Sequence, residues 1–367
     1  MNRMIVANLL HRPIRSLVSV VAIAVEVTLI LVIVGLSLGM LNDAKQRTAG
    51  IGADIIVQPP GSSFLAGLSG APVSIRVADV LRKLPHVTEV APVIWHLSAT
   101  GSVEVIYGID AESFQRLGGP FRFISGGPFT GPNQVIVDDF FAASENVTAG
   151  DSIEILNHKF EIAGVVQNGR GARKFLPIET LQELIGAQDK ASVFYVKVDN
   201  PANVEPVAKS IHQVDGMQQY KVLSMREYLT MMTAGNLPGL QQFIEVVIGV
   251  AVVIGFIVIF QAMYTAVLER TREIGILKSM GASKLYVVNV VVRETLVLAA
   301  VGTVVGIIVS YAAKNAIRAR FPTLPVEIQP DWIVYAAIIA LVGAILGAIY
   351  PAYKAAQKDP IDALAYE

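Results

Sequence analysis

The chain has no cysteine, five histidines and only 16% charged residues. Without cysteine there is neither a disulfide framework nor a thiolate metal site. Any domain outside the cytoplasm is therefore held by its own core. His86, His96, His158 and His212 are scattered, none in an HExxH or His-x-Glu context, and read as surface groups rather than metal ligands. Also missing are the GxxxxGK[ST] run of a phosphate-binding loop and the GxSxG of a nucleophile elbow. The expectation is a chain with no catalytic, cofactor-binding or metal-binding residues. A formal net charge of -1 offers no pull toward nucleic acid.

What the chain has instead is apolar length. With 53% hydrophobic residues and a mean hydropathy of +0.55, it is too apolar for a soluble protein of 367 residues. Four runs, at 17–41, 243–268, 285–313 and 332–350, are each long enough to span a bilayer core of about 30 Å as a helix of roughly 20 residues. No comparable run lies within 42–242. The first run is longer than the roughly 7–15 residues of a signal-peptide apolar region, and no small-x-small site closes it before Asn42, so it reads as a retained anchor.

Basic residues set the orientation. Arg3, Arg12, Arg15, Arg270, Arg272, Lys278, Lys284, Lys354 and Lys358 fall on one side, against Lys314, Arg318 and Arg320 in the short loop 314–331 on the other. By the positive-inside rule both termini are cytoplasmic, and 42–242 is extracytoplasmic. The predicted architecture is an α-helical membrane protein with four transmembrane helices plus a large α+β extracytoplasmic domain inserted between helices 1 and 2.

Within that domain, short alternating or β-branched runs alternate with turn signals such as QPPGSS (58–63) and SGGPFTGPN (125–133). ADIIVQ (53–58), VADVLRKL (77–84) and HVTEVAPVI (86–94) read strand, helix, strand. SVFYVKV (192–198), VEPVAKSIHQV (204–214) and MQQYKVLS (217–224) repeat the order. The economical reading is one α+β module made from both ends of the stretch, interrupted by a mainly β insertion at about 95–190. GRGARK (169–174) and AGLSGA (66–71) read as flexible surface segments.

ERTREIGILKSMGASK (269–284), between the second and third runs, holds the strongest local signal. Its charges come first, then Ile274, Ile276, Leu277 and Met280 make a short apolar surface ended by Gly281. That describes a two-turn amphipathic helix, either an interfacial anchor or a docking element for a cytoplasmic partner. The tail 351–367 opens on Pro351, read as closing the fourth span.

These two segments resemble the FtsX-like permease family of ABC transporters (type VII superfamily), with its MacB and LolC/LolE branches. ERTREIGILKSMGAS resembles that family's cytoplasmic loop, and PAYKAAQKDPIDALAYE its C-terminal signature. NLLHRPIRSL (8–17), an amphipathic cytoplasmic lead-in (1–16), and VRETLVLAAVGTVVG (292–306), with Glu294, are similar to other family segments. GDSIEI (150–155), EIAGVVQNG (161–169) and LPIETLQELIG (176–186) resemble the extracytoplasmic domain of the MacB branch.

The resemblance implies a permease subunit of the bacterial inner membrane that couples ATP hydrolysis to movements of its periplasmic domain, by mechanotransmission, to export or extract an envelope substrate. It implies a second permease copy, homodimeric or heterodimeric, and admits a periplasmic adaptor protein. The loop 269–284 would dock the ATPase through Glu269, Arg270, Arg272, Glu273, Ile274, Gly275, Leu277, Lys278, Met280 and Gly281. Since about 16 residues precede the first run, that ATPase, with its ATP and Mg, is expected on a separate chain. An envelope sensor with an external ligand domain is the alternative, but the inner segments offer no output domain. A membrane enzyme would need a convergent catalytic set.

Two acids complete the candidate set. Glu26, within the first run, should face a protein interior, since an acid in hydrocarbon is costly. Glu294 and Arg293 are placed near the inner end of the third run, within reach of interfacial water. Gly302 and Gly306, spaced small-xxx-small, predict close helix packing.

Overall fold

The computed structural model describes residues 13–62, 71–98, 104–237, 239–269 and 271–357. The lead-in before Pro13, most of AGLSGA, Arg270 and the tail from Lys358 lie outside them. The described chain divides into a helical unit (residues to 39, 239–319 and from 326) and an inserted unit (40–238 and 320–325).

The inserted unit opens on the last turns of helix α1 (Pro13–Ala49), which continues beyond the apolar run. There follow β1 (Ile55–Gln58), β2 (Val73–Ser74), α2 (Val77–Arg82), β3 (Val87–Ser98), β4 (Glu104–Ile109), α3 (Ala111–Gly118), β5 (Phe123–Gly126), β6 (Gln134–Asp138) and α4 (Asp139–Glu145). Then come β7 (Ser152–Ile155), β8 (His158–Val166), β9 (Lys174–Pro177), α5 (Ile178–Leu184), β10 (Lys190–Ala191), β11 (Val193–Val198), α6 (Val204–Gln213), β12 (Lys221–Ser224) and α7 (Met225–Met231). One sheet runs β12-β1-β11-β3-β4-β9-β6-β8-β5, with β7 beside β8. β4/β9 and β6/β8 are parallel; the other ladders of this sheet are antiparallel.

The first four strands are the two strand–helix–strand halves interleaved, in the arrangement of a ferredoxin-like split βαβ. Side chains alternate across the sheet, as period-2 geometry demands. Ile55, Val57, Phe194 and Val196 face α2 and α6 through Leu81, Val207 and Ile211, while Ile56, Val193 and Tyr195 face an aromatic core with Trp95, Tyr107, Phe114 and Phe175. The segment expected to be mainly β carries three helices, α3, α4 and α5, and its strands extend the same sheet. Each is only two turns long, too short for apolar periodicity to stand out.

In the helical unit, α1 is joined by α8 (Leu240–Glu269), α9 (Thr271–Ser279), α10 (Lys284–Arg320) and α11 (Pro330–Gln357). Four of these, α9 excepted, are long and apolar enough to cross a membrane. Several of their contacts are made by small residues. A Cβ at Gly302 would lie 2.7 Å from Ile23 Cβ, and one at Gly306 would lie 2.8 Å from the Ala24 carbonyl oxygen, so α10 approaches α1 to backbone distance. Thr28 Oγ1 donates to the Gly306 carbonyl (3.1 Å) as well as to Ala24 (2.7 Å). α11 buries Ala336, Ala340, Gly343, Ala344, Gly347 and Ala348 along one face. Its helix passes through Pro351 instead of ending there, as transmembrane helices tolerate.

Candidate functional site

The short helix α9 is where sequence and geometry meet. Its ends are well defined. Glu273 in the first turn and Lys278 in the last suit the helix dipole. At the other end Gly281 (φ 95°) donates to the Lys278 carbonyl (3.0 Å) and Ala282 to that of Leu277 (3.0 Å), the two bonds of a Schellman cap. Ser283 then caps α10 by accepting from the Tyr286 amide at 3.2 Å. Four residues thus reverse the chain between two helices.

The two faces of α9 differ. Ile274 packs with Val267, Val287, Val291, Ala355 and Ala356 of the long helices, and Gly275 is buried. Leu277 is half-buried and lines, with Ile274, Met263, Tyr286 and Glu294, a cavity of about 50 Å³ between α8, α9 and α10. Lys278 Nζ donates to the Ala356 carbonyl of α11 at 3.0 Å. Arg272, Glu273, Ile276, Ser279, Met280 and Gly281 are exposed, Met280 at 71%. Hence the single apolar surface expected of Ile274, Ile276, Leu277 and Met280 is corrected to two. At 3.6 residues per turn, Ile274 and Leu277 share one side and Ile276 and Met280 the other. Of the residues expected to dock a partner, Ile274, Gly275, Leu277 and Lys278 are turned toward the chain's own helices. Glu269 is exposed at the end of α8; Arg270 lies outside the described residues.

The acids also sort by surroundings. Glu26 is 3% exposed and has no hydrogen-bond partner for either carboxyl oxygen among the described residues. It sits against Gly255 of α8 and Gly343 of α11, where missing side chains leave room for it. Glu294, expected within reach of water, is 3% exposed and lies behind α9. The correction arises because α9 folds back over the end of α10, which counting along the run could not reveal.

Two family models match the chain: a MacB-like periplasmic core domain over residues 16–214 and an FtsX-like permease C-terminal region over 245–360. Among relatives, the chain is 22% identical to the uncharacterized ABC transporter permease YvrN and 25% identical to the uncharacterized ABC transporter permease YknZ, both of Bacillus subtilis (strain 168). These alignments cover 98% and 100% of the chain and 98% of each relative. It is 27% identical to the macrolide export ATP-binding/permease protein MacB of Photorhabdus laumondii, over all of the chain but 60% of that protein. The chain belongs to the FtsX/MacB-type permeases of ABC transporters, built as an α-helical membrane protein with an inserted α+β domain.

Proposed function

We propose that this chain is the membrane subunit of a bacterial inner-membrane ABC transporter whose ATPase is a separate cytoplasmic chain, and that ATP binding and hydrolysis there move the inserted, periplasmic unit. Both termini lie in the cytoplasm. The cargo is an envelope molecule, exported or extracted, and the chain works as a pair of permease copies. One observation supports the coupling above others. α9 is fastened by Ile274, Leu277 and Lys278 to α8, α10 and α11, while Arg272, Ile276 and Met280 face outward. A helix held rigidly on one face and open on the other can pass a push from a docked partner to three membrane helices at once.

The chain itself carries no phosphate-binding loop, so ATP and Mg are assigned to the partner, and the purified chain alone should hydrolyse no ATP. The test is Met280→Asp in the complex with the ATPase that co-purifies with the permease. Because Met280 is exposed, the permease should accumulate normally. Burying an unpaired charge at the interface should weaken ATPase binding by about 2–5 kcal/mol. Normal co-purification and normal hydrolysis at a normal permease level would remove the docking role from this face.

A further inference from the structure

GRGARK (169–174), read from sequence as a surface turn, is a joint in the inserted unit. Arg173 is 9% exposed, and its guanidinium reaches three other chain segments. Nη2 donates to Asp43 Oδ2 on α1 (2.9 Å) and to the Thr323 carbonyl in the 320–325 segment (3.3 Å), and Nη1 to Asp138 Oδ2 at the end of β6 (3.1 Å). Around this fork the contacts close on themselves. Asp43 also accepts from Arg47 Nε (2.9 Å), whose Nη1 donates to the Gly171 carbonyl (3.0 Å), while the Gly171 amide donates to the Arg47 carbonyl (2.7 Å). Asp138 accepts from the Phe141 amide (2.7 Å), capping α4, and the Arg173 guanidinium lies over the Phe140 ring with its Cζ 5.5 Å from the centroid.

The backbone is equally committed. A Cβ on Gly50, just past α1, would lie 1.7 Å from the Gly169 carbonyl oxygen. One on Gly171 (φ 60°) would lie 2.6 Å from the Tyr107 ring. The glycines that suggested flexibility are held in fixed left-handed conformations, Gly169 at φ 120° with its carbonyl against Gly50 and Gly171 at φ 60° against Tyr107. Buried ion pairs are poor sources of net stability, because desolvation offsets their attraction. What a planar fork bound to three segments does supply is fixed relative geometry, which a lysine's single ammonium cannot reproduce.

We propose that Arg173 is a positioning residue of the transport cycle, joining the end of α1 and the 320–325 segment to the sheet so that the inserted unit follows α1 as one piece. This rests on the reading that ATP hydrolysis moves that unit. The test uses the permease with its co-purifying ATPase in lipid nanodiscs, with spin labels on cysteines replacing Ile338, exposed on α11, and either Gln46, exposed on α1, or Glu154, exposed on β7. Labelled chain is diluted with unlabelled chain, and distances are measured with and without ATP. In the parent, ATP should shift both the 338–46 and the 338–154 distances. In Arg173→Met the 338–46 shift should remain while the 338–154 shift is lost, and Arg173→Lys should restore only part of it. Asp43→Asn leaves Arg173 paired with Asp138, so it keeps the sheet side intact and should show the same loss should Arg173→Met fail to fold. A 338–154 shift of parental size in Arg173→Met or in Asp43→Asn overturns the positioning role. A parent in which neither distance responds to ATP overturns the underlying reading, and the positioning role with it.

Discussion

The two units are packed in different ways. In the inserted unit the largest side chains are inside: Phe114, Phe175, Phe194 and Tyr195 are fully buried, and Phe121 meets Phe175 at 5.2 Å. In the helical unit the buried set mixes small residues, among them Gly302, Gly306, Ala340 and Ala344, with Ile23, Ile30 and Leu31 of α1, while many large side chains face out, with Val246, Val250, Ile257, Ile308, Ile338 and Leu346 all at least half exposed. Water drives the first arrangement, since burying apolar area is favourable there. Hydrocarbon gives no such drive between helices, so contact distance does the work, through Gly302, Gly306 and the alanines of α11.

Truncation should therefore hurt one unit and enlargement the other. Phe175→Ala is expected to cost the inserted unit about 3–5 kcal/mol, the range for emptying an aromatic core position. Gly306→Ala should cost about 1–3 kcal/mol by forcing α1 and α10 apart. Protease sensitivity of the full chain in detergent, mapped to each unit, checks both. Equal damage to both units from either substitution would break the comparison.

A pH-dependent effect follows from the charges buried in the inserted unit. Burial pushes the Asp138 carboxyl up to about 6 from its ordinary 3.8, outweighing Arg173 and the Phe141 amide, which pull it down. The folded state thus holds this proton more tightly than the unfolded chain. The resulting stabilisation is complete below about 4 and is lost as pH rises through about 6, a change of about 3 kcal/mol at 1.36 kcal/mol per unit. Urea unfolding followed by Trp95 fluorescence in a Trp332→Phe background should lose that slope in Asp138→Asn. An unchanged slope between pH 4 and 7 would contradict it.

Much of this design is legible in the chain, for physical reasons. Crossing a bilayer requires unbroken apolar length, so the four long helices announce themselves. The interleaved βαβ halves are readable because their strands are short β-branched apolar runs, buried on both faces in β1 and β11, and α2 and α6 carry one apolar face each. Three features were not legible. Ile274, Ile276, Leu277 and Met280 ring a nine-residue helix, and composition cannot say which side meets the bundle. Glu294 is buried by the fold-back of α9. GRGARK has the glycines and charges of a solvated turn, and only contacts from residues 43, 47, 138 and 323 turn it into a joint.

The two-faced character of α9 is the central claim, and the absence of native cysteine makes it directly measurable. Single cysteines replacing Met280 and Leu277 can be timed against a water-soluble thiol reagent in permease with and without its ATPase. The predicted result is fast labelling at 280 that slows when the ATPase is bound, and slow labelling at 277 in both conditions. Labelling at 277 that is fast and slowed by the ATPase, with 280 indifferent to it, would contradict the assignment.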